Sequence, residues 1–198
     1  MLQVLGVQVM HIGPVSLSVH AGECVALSGE SGSGKSILLR ALIDLIPHQG
    51  DVVLDNINCQ SMSATEWRSQ VGYLPAESAW WSERVGDHFD DACQPQWLKA
   101  LGFDQTVMDW EVARCSTGER QRLALLRLLC RKPRVLLLDE PTASLDRQNV
   151  SQVEALITEY QQLHQIPVLW VSHDPEQIQR VAQHEYRLIQ GNLQEVSI

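Results

Sequence analysis

Long apolar runs are missing. No stretch approaches the roughly eighteen apolar residues that a bilayer-crossing helix requires, and even Leu123–Cys130 is broken by Arg127. The opening Met1-Leu-Gln-Val-Leu has none of the charge that begins a secretion signal, so the expectation is a soluble, cytoplasmic chain. Positive charge is scarce as well: 15 Lys and Arg stand against 24 Asp and Glu, for a net charge of −9. Wrapping nucleic acid needs clustered cations to neutralise phosphate, so no nucleic-acid partner is expected. The five cysteines, Cys24, Cys59, Cys93, Cys115 and Cys130, form no C-x-x-C pair, which argues against a zinc site and for reduced thiols. There is no internal repeat and no low-complexity segment.

What remains is enough for one compact domain: 198 residues, 44% of them hydrophobic. The informative stretch is Gly29-Glu30-Ser31-Gly32-Ser33-Gly34-Lys35-Ser36, which fits the phosphate-binding pattern G-x-x-x-x-G-K-[ST]. An apolar run, Cys24–Leu27, precedes it as a strand, and Ile37–Ile43 follows as a helix. A glycine-rich turn carrying Lys-Ser by accident would not have both flanks. The glycines let successive N–H groups curl inward onto phosphate oxygens, and the helix adds the positive end of its dipole. Lys35 reaches the β- and γ-phosphates, and Ser36 offers its hydroxyl to Mg²⁺.

In chain order, Val4–Val9, Val15–Val19 and Cys24–Leu27 read as short strands separated by Gly13-Pro14 and Ala21-Gly22-Glu23, a small antiparallel region feeding the loop. Pro47–Gly50 reads as a turn and Asp51–Leu54 as a strand. Ser63 and Glu66 have capping-box spacing for a short helix. Val71–Pro75 is a strand ending at proline. From Ala76 to Arg114 the pattern turns polar and aromatic-rich, with short helices such as Gln96–Leu101, and a long helix then runs from Ser116 through Arg131. Together they predict a helical subdomain, about residues 76–132, inserted in a single domain of residues 1–198. Arg134–Asp139 is an apolar strand capped by two carboxylates, the way a central parallel strand delivers acids to a site at its C-terminal end. A helix from about Arg147 to His164, the strand Val168–Val171, a helix opened by Asp174-Pro175 and a β-like run Tyr186–Ile189 complete an α/β chain with a mainly parallel sheet.

The stretch Cys115-Ser-Thr-Gly-Glu-Arg-Gln-Arg122, lying just before Val135-Leu-Leu-Leu-Asp-Glu140, narrows the class. Together with the phosphate loop it resembles the ATP-binding cassette (ABC) ATPases, and the resemblance continues through Ser144-Leu145-Asp146 and His173 over essentially the whole chain. It implies a P-loop NTPase of ABC type with ATP and Mg²⁺ as ligands. Asp139 then holds Mg²⁺ with Ser36, Glu140 polarises the attacking water, and His173 contacts the γ-phosphate, although alone it would read as an exposed histidine before a helix. Ser116 and Gly118 face the γ-phosphate bound by an opposite subunit, so the active form is a head-to-tail homodimer with two ATP molecules between subunits and Asp146 bridging the interface. Ser-x-x-Glu is also an ordinary capping box, and both readings of Ser116 hold together.

Four departures stand against the family pattern. Cys115 replaces the signature leucine and Thr117 its first glycine. Ala76 stands where the family has a glutamine, with Glu77 beside it. No Phe, Tyr or Trp precedes Trp67, so the aromatic that usually stacks adenine is absent and His11 or Met10 is the nearest candidate. The insertion between Ala76 and Cys115 is short, and its Trp80 and Trp81 either line a groove for a partner's helix or pack the subdomain.

The resemblance implies an ATP-hydrolysing subunit that powers a transporter through a separate membrane-spanning permease, held on the inner face of the membrane by that partner. The ending Ile166–Asp174 looks most like bacterial iron-export ATP-binding proteins. A soluble assembly ATPase of the kind that serves iron–sulfur scaffolds, and a weakly hydrolysing nucleotide-dependent regulator, are the alternatives.

Overall fold

The computed structural model describes residues 1–89 and 94–196, so Cys93 and the part of the helical insertion at 90–93 lie outside the described residues. The chain runs β1 (Leu2–Val9), β2 (Ile12–Val19), β3 (Cys24–Ser28), α1 (Lys35–Leu42), β4 (Gln49–Leu54), β5 (Ile57–Asn58), α2 (Ala64–Gln70), β6 (Val71–Leu74) and α3 (Pro95–Ala100). It continues with α4 (Thr117–Cys130), β7 (Val135–Asp139), α5 (Arg147–His164), β8 (Val168–Val171), α6 (Pro175–Val181), β9 (His184–Ile189) and β10 (Asn192–Val196). Short 3₁₀ turns at Gly86–His88, Gln105–Asp109 and Val112–Arg114 make up much of the insertion.

The strands form two sheets. One is four-stranded and antiparallel, in the order β2-β1-β4-β5. The other is six-stranded, in the order β10-β9-β3-β8-β7-β6, and parallel except for the final β9–β10 hairpin. This is the expected mainly parallel core with an N-terminal antiparallel region and a short helical part.

Both faces of the large sheet are covered, which is why β3, β7 and β8 are continuous apolar runs rather than alternating ones. Alternate residues feed different cores. Val25, Leu27, Val135, Leu137, Leu169 and Val171 pack with the small sheet and α1. Ala26, Leu136, Leu138, Val168 and Trp170 pack with α4, α5 and α6 on the opposite face. Trp67 plugs the first core from α2 and donates its indole N–H to the Leu42 carbonyl at 2.9 Å, so its polar atom is satisfied where it is buried.

Three local expectations are corrected. Gly13-Pro14 lies inside β2 and does not separate strands, because β2 is a sheet edge, where a residue without an N–H costs no ladder bond. The turn before β4 comes earlier than Pro47–Gly50, since Gln49 already pairs with Gln8 of β1 and Gly50 lies within β4. The strands β5 and β10 were not expected; each is short, polar and at an edge.

Candidate functional site

The register of three parallel strands builds the site. Leu27 of β3 and Asp139 of β7 both pair with Val171 of β8, so the three strands end level with one another. The loop after Ser28, the acids Asp139-Glu140 and the turn Ser172-His173 therefore emerge side by side at the C-terminal edge of the sheet. Residues more than a hundred positions apart become neighbours through backbone pairing alone.

The loop has Gly29, Gly32 and Gly34 at φ 142°, 79° and 107°, values that side-chain-bearing residues rarely adopt. Gly34 is constrained twice, since a Cβ there would come within 2.4 Å of Ile12 Cδ1 and 3.7 Å of His11 Nε2. The loop thus closes over the β1–β2 turn, which brings His11 beside it. Gly34 caps α1 without a side-chain hydrogen bond, leaving the first-turn N–H groups open to an anion. Lys35 is buried, and its ammonium donates to the carbonyls of Gly29 at 2.8 Å and Glu30 at 2.9 Å. Ser33 Oγ is buried and has no protein partner among the described residues, a hydroxyl aimed into the curl. Ser36, half-buried, follows in the first turn of α1.

Asp139 is buried at the end of β7 and accepts the Tyr73 hydroxyl at 3.2 Å. Burial pushes the Tyr73 hydroxyl above the usual phenol range, so it stays a neutral donor to that carboxylate. Glu140 turns the chain with φ 48° and donates its N–H to Val171 O at 3.2 Å. His173 Nδ1 stands 3.5 Å from Glu140 Oε1. His11, Gly29 to Ser33 and His173 line one cavity of about 840 Å³, together with Glu185 and Arg187 of β9. The last two are additions to the expected set: Ser28 Oγ donates to Glu185, and Arg187 donates to Glu185 at 3.0 Å.

Ser116, Gly118 and Asp146 do not line that cavity. Ser116 caps α4 in a complete capping box: Glu119 N–H donates to Ser116 Oγ at 3.2 Å, and Ser116 N–H donates to the Glu119 carboxylate at 2.7 Å. A Cβ on Gly118 would lie 3.2 Å from the Ser144 carbonyl, so the turn before Asp146 packs on the first turn of α4. Asp146 caps α5 by accepting the Asn149 N–H at 2.9 Å, which holds its carboxyl below the usual range. Cys115 is buried, and burial pushes its thiol up, so it acts as a small apolar side chain.

Ala76 lines a second cavity of about 510 Å³ with Glu77, Trp80, Thr117 and Gln121. Gln121 donates to the Pro75 carbonyl at 3.0 Å, tying α4 to the segment that opens there. Trp80 packs against the core, whereas Trp81 is 71% exposed, and the Arg127 guanidinium stacks 4.7 Å from each ring. Among the described residues no group of three or more His, Cys, Asp or Glu converges as a metal cluster, and no helix is long and apolar enough to cross a membrane.

The family model described as ABC transporter matches residues 12–143, which takes in the phosphate loop, the capped α4 and the paired acids. The chain belongs to the ABC transporter family. It is an ATP-binding ABC ATPase. Over 176 residues the cassette is 32% identical to the "Probable iron export ATP-binding protein FetA" of Escherichia coli, covering 83% of this chain and 78% of that one. It is 34% identical to Protein STAR1 of Oryza sativa over 92% of this chain, but spans only 56% of that relative's length. A lipoprotein-releasing system ATP-binding protein, LolD of Protochlamydia amoebophila, is 30% identical over 94% of this chain and 90% of its own. The fold matches that of a dimeric ATP-binding cassette in a post-hydrolysis state bound to ADP and Pi, with TM-score 0.84, 22% identity, and coverage of 100% of this chain and 98% of that one.

Proposed function

We propose that this ABC ATPase is the ATP-binding and ATP-hydrolysing subunit of a membrane transporter whose spanning part is a separate permease chain. The observation that carries the reading is the strand register that brings the phosphate loop, Asp139-Glu140 and His173 to one edge of the sheet. Gly29, Glu30, Ser31, Gly32, Ser33 and Gly34 wrap the phosphates, and Lys35 neutralises the β- and γ-oxygens. A serine hydroxyl and a carboxylate, Ser36 and Asp139, are the hard oxygen donors that Mg²⁺ takes alongside phosphate oxygens and water. Bound there, the ion would neutralise charge on the transferred group. Glu140 polarises the attacking water, and His173 contacts the γ-phosphate. His11 lies where the nucleobase would rest.

Ser116 and Gly118 open α4 and Asp146 opens α5, apart from the residues that line the phosphate-loop cavity, and in this reading they meet the γ-phosphate held by a second copy. This supports a head-to-tail homodimer closing on two ATP molecules. Residues 1–198 act as a single domain, with the helical subdomain at about 76–132 as the lever. The cavity beside Ala76, with Trp80 in its wall and exposed Trp81 next in the chain, is the surface on which the permease docks, which keeps the chain on the cytoplasmic face of the membrane. Iron or another metal ion is the transported solute in the narrower reading, supported by likeness to FetA; the likeness to LolD supports the transporter class without that solute.

The test is Mg²⁺-dependent phosphate release by the purified chain over a range of protein concentration, beside Glu140→Gln and Lys35→Ala. Turnover rising more steeply than protein concentration, and lost in both variants, is expected. Strictly linear turnover that persists at concentrations where the chain sediments as a monomer with ATP bound removes the dimer, and undiminished turnover in Glu140→Gln removes that residue from the mechanism.

A further inference from the structure

We propose that Gln177 is the positioning residue that holds the His173 turn and the Glu140 turn in mutual register for hydrolysis. The assignment rests on the roles given above to Glu140 and His173. Those two side chains are 31% and 70% exposed, so packing does not fix them. Their placement has to come through the backbone turns that carry them.

Gln177, in α6, is 4% exposed, and each end of its amide is used. Oε1 accepts the Ser172 hydroxyl at 2.9 Å. Nε2 donates to Thr142 Oγ1 at 2.8 Å and to Glu154 Oε1 at 2.8 Å. Only the NH₂ end can face a carboxylate, so Glu154 fixes which way the amide points. Arg180 grips the same carboxylate at 3.0 and 3.1 Å and fixes Glu154 in turn.

Every group that Gln177 touches sits beside a proposed reacting residue or on the helix behind it. Ser172 immediately precedes His173, and its Oγ also accepts the Asp174 N–H at 3.1 Å, so the histidine is spanned from both sides. Thr142 lies two residues past Glu140, inside a turn closed by the Ala143 N–H to the Glu140 carbonyl at 3.2 Å. Among the described residues Gln177 is the one side chain hydrogen-bonded to both turns. A cavity of about 220 Å³ lies between them, with Glu140, Thr142, Ser172, His173 and Gln177 in its walls. Replacing the amide by an apolar side chain leaves a buried hydroxyl on each turn without its partner, and both turns can then move relative to each other.

The experiment is steady-state ATP hydrolysis by the full chain, well below each variant's melting temperature, for Gln177→Leu, Gln177→Glu, Gln177→Glu with Glu154→Gln, and Glu140→Gln. Displacement of reacting groups by about 1 Å costs on the order of 100-fold, so Gln177→Leu should lower kcat about 10- to 100-fold with KM for ATP nearly unchanged. Gln177→Glu sets two carboxylates face to face and should lose kcat similarly. Adding Glu154→Gln restores a donor opposite the new carboxylate and should return most of the activity, a rescue with KM steady throughout. Wild-type kcat in Gln177→Leu while Glu140→Gln is inactive overturns the role of Gln177 alone. A double variant no better than Gln177→Glu also overturns it. Wild-type kcat in Glu140→Gln overturns the catalytic reading beneath it.

Discussion

His173 Nδ1 and Glu140 Oε1 lie 3.5 Å apart across the gap between two strand ends, and neither side chain is buried. A contact of this kind contributes little to folding, because exposed charged pairs are worth about 0–1 kcal/mol. Its value lies in placing two groups over one point. His173→Ala should therefore leave the melting temperature almost unchanged. If the imidazole contacts the γ-phosphate as proposed, kcat should fall about 100- to 1,000-fold, the typical loss for removing one positioned donor. Thermal melting and phosphate release on the same sample check this, and a variant that melts early would return His173 to a structural role.

Ser116 carries two roles that can be separated. As an N-cap, its loss to alanine should cost about 1 kcal/mol, or roughly 2–4 °C for a chain of this size. Aspartate caps a helix about as well as serine but places a carboxylate where a phosphate is expected. Ser116→Asp should thus melt like wild type and fail to hydrolyse ATP. Retained hydrolysis in Ser116→Asp would leave capping as the whole function of this residue.

The features legible in the sequence were those whose physics is local or strictly periodic. The phosphate loop is contiguous, both capping boxes sit at fixed spacing, and β3, β7 and β8 are apolar throughout because both faces are covered. Edge strands were not legible: Gln194 and Glu195 of β10 face solvent and carry no alternation to read. Pro14 looked like a strand breaker because its tolerance depends on β2 being an edge, a property of topology. Gln177 left no trace at all. A single glutamine in an amphipathic helix has no spacing signature, and its partners at 142, 154 and 172 meet it only after the parallel register is set.

Acid stability should report on the cap of α4. The Ser116 backbone N–H holds the Glu119 carboxyl below the usual carboxylate range in the folded chain. Its folded pKa is depressed, so the stabilisation is complete above the unfolded pKa and is lost as pH falls through the folded one. Wild type should lose melting temperature as pH drops below the ordinary carboxylate range. Glu119→Gln, which has no proton to take up, should start lower near neutrality and converge with wild type in acid. A gap that stays constant with pH would mean the carboxylate charge contributes nothing to the cap.

Nucleobase preference should follow from what closes over the loop. Because no Phe, Tyr or Trp precedes Trp67, the ring nearest Gly34 is the imidazole of His11, a smaller stacking surface than an aromatic six-membered ring. Stacking a base on a good aromatic is worth about 1–3 kcal/mol. The chain should therefore bind ATP modestly and discriminate weakly against GTP, since a stacked base is read by its face and not by its edges. His11→Tyr should tighten ATP about tenfold, near the lower part of that stacking range, and His11→Ala should weaken it, both measured by titration with a fluorescent nucleotide in the absence of turnover. Unchanged affinity in His11→Ala would move the base off this residue and onto Met10, the exposed neighbour in the same turn. Met10→Ala would then be the variant that loses affinity, because Met10 is the exposed apolar side chain next to His11 in the β1–β2 turn.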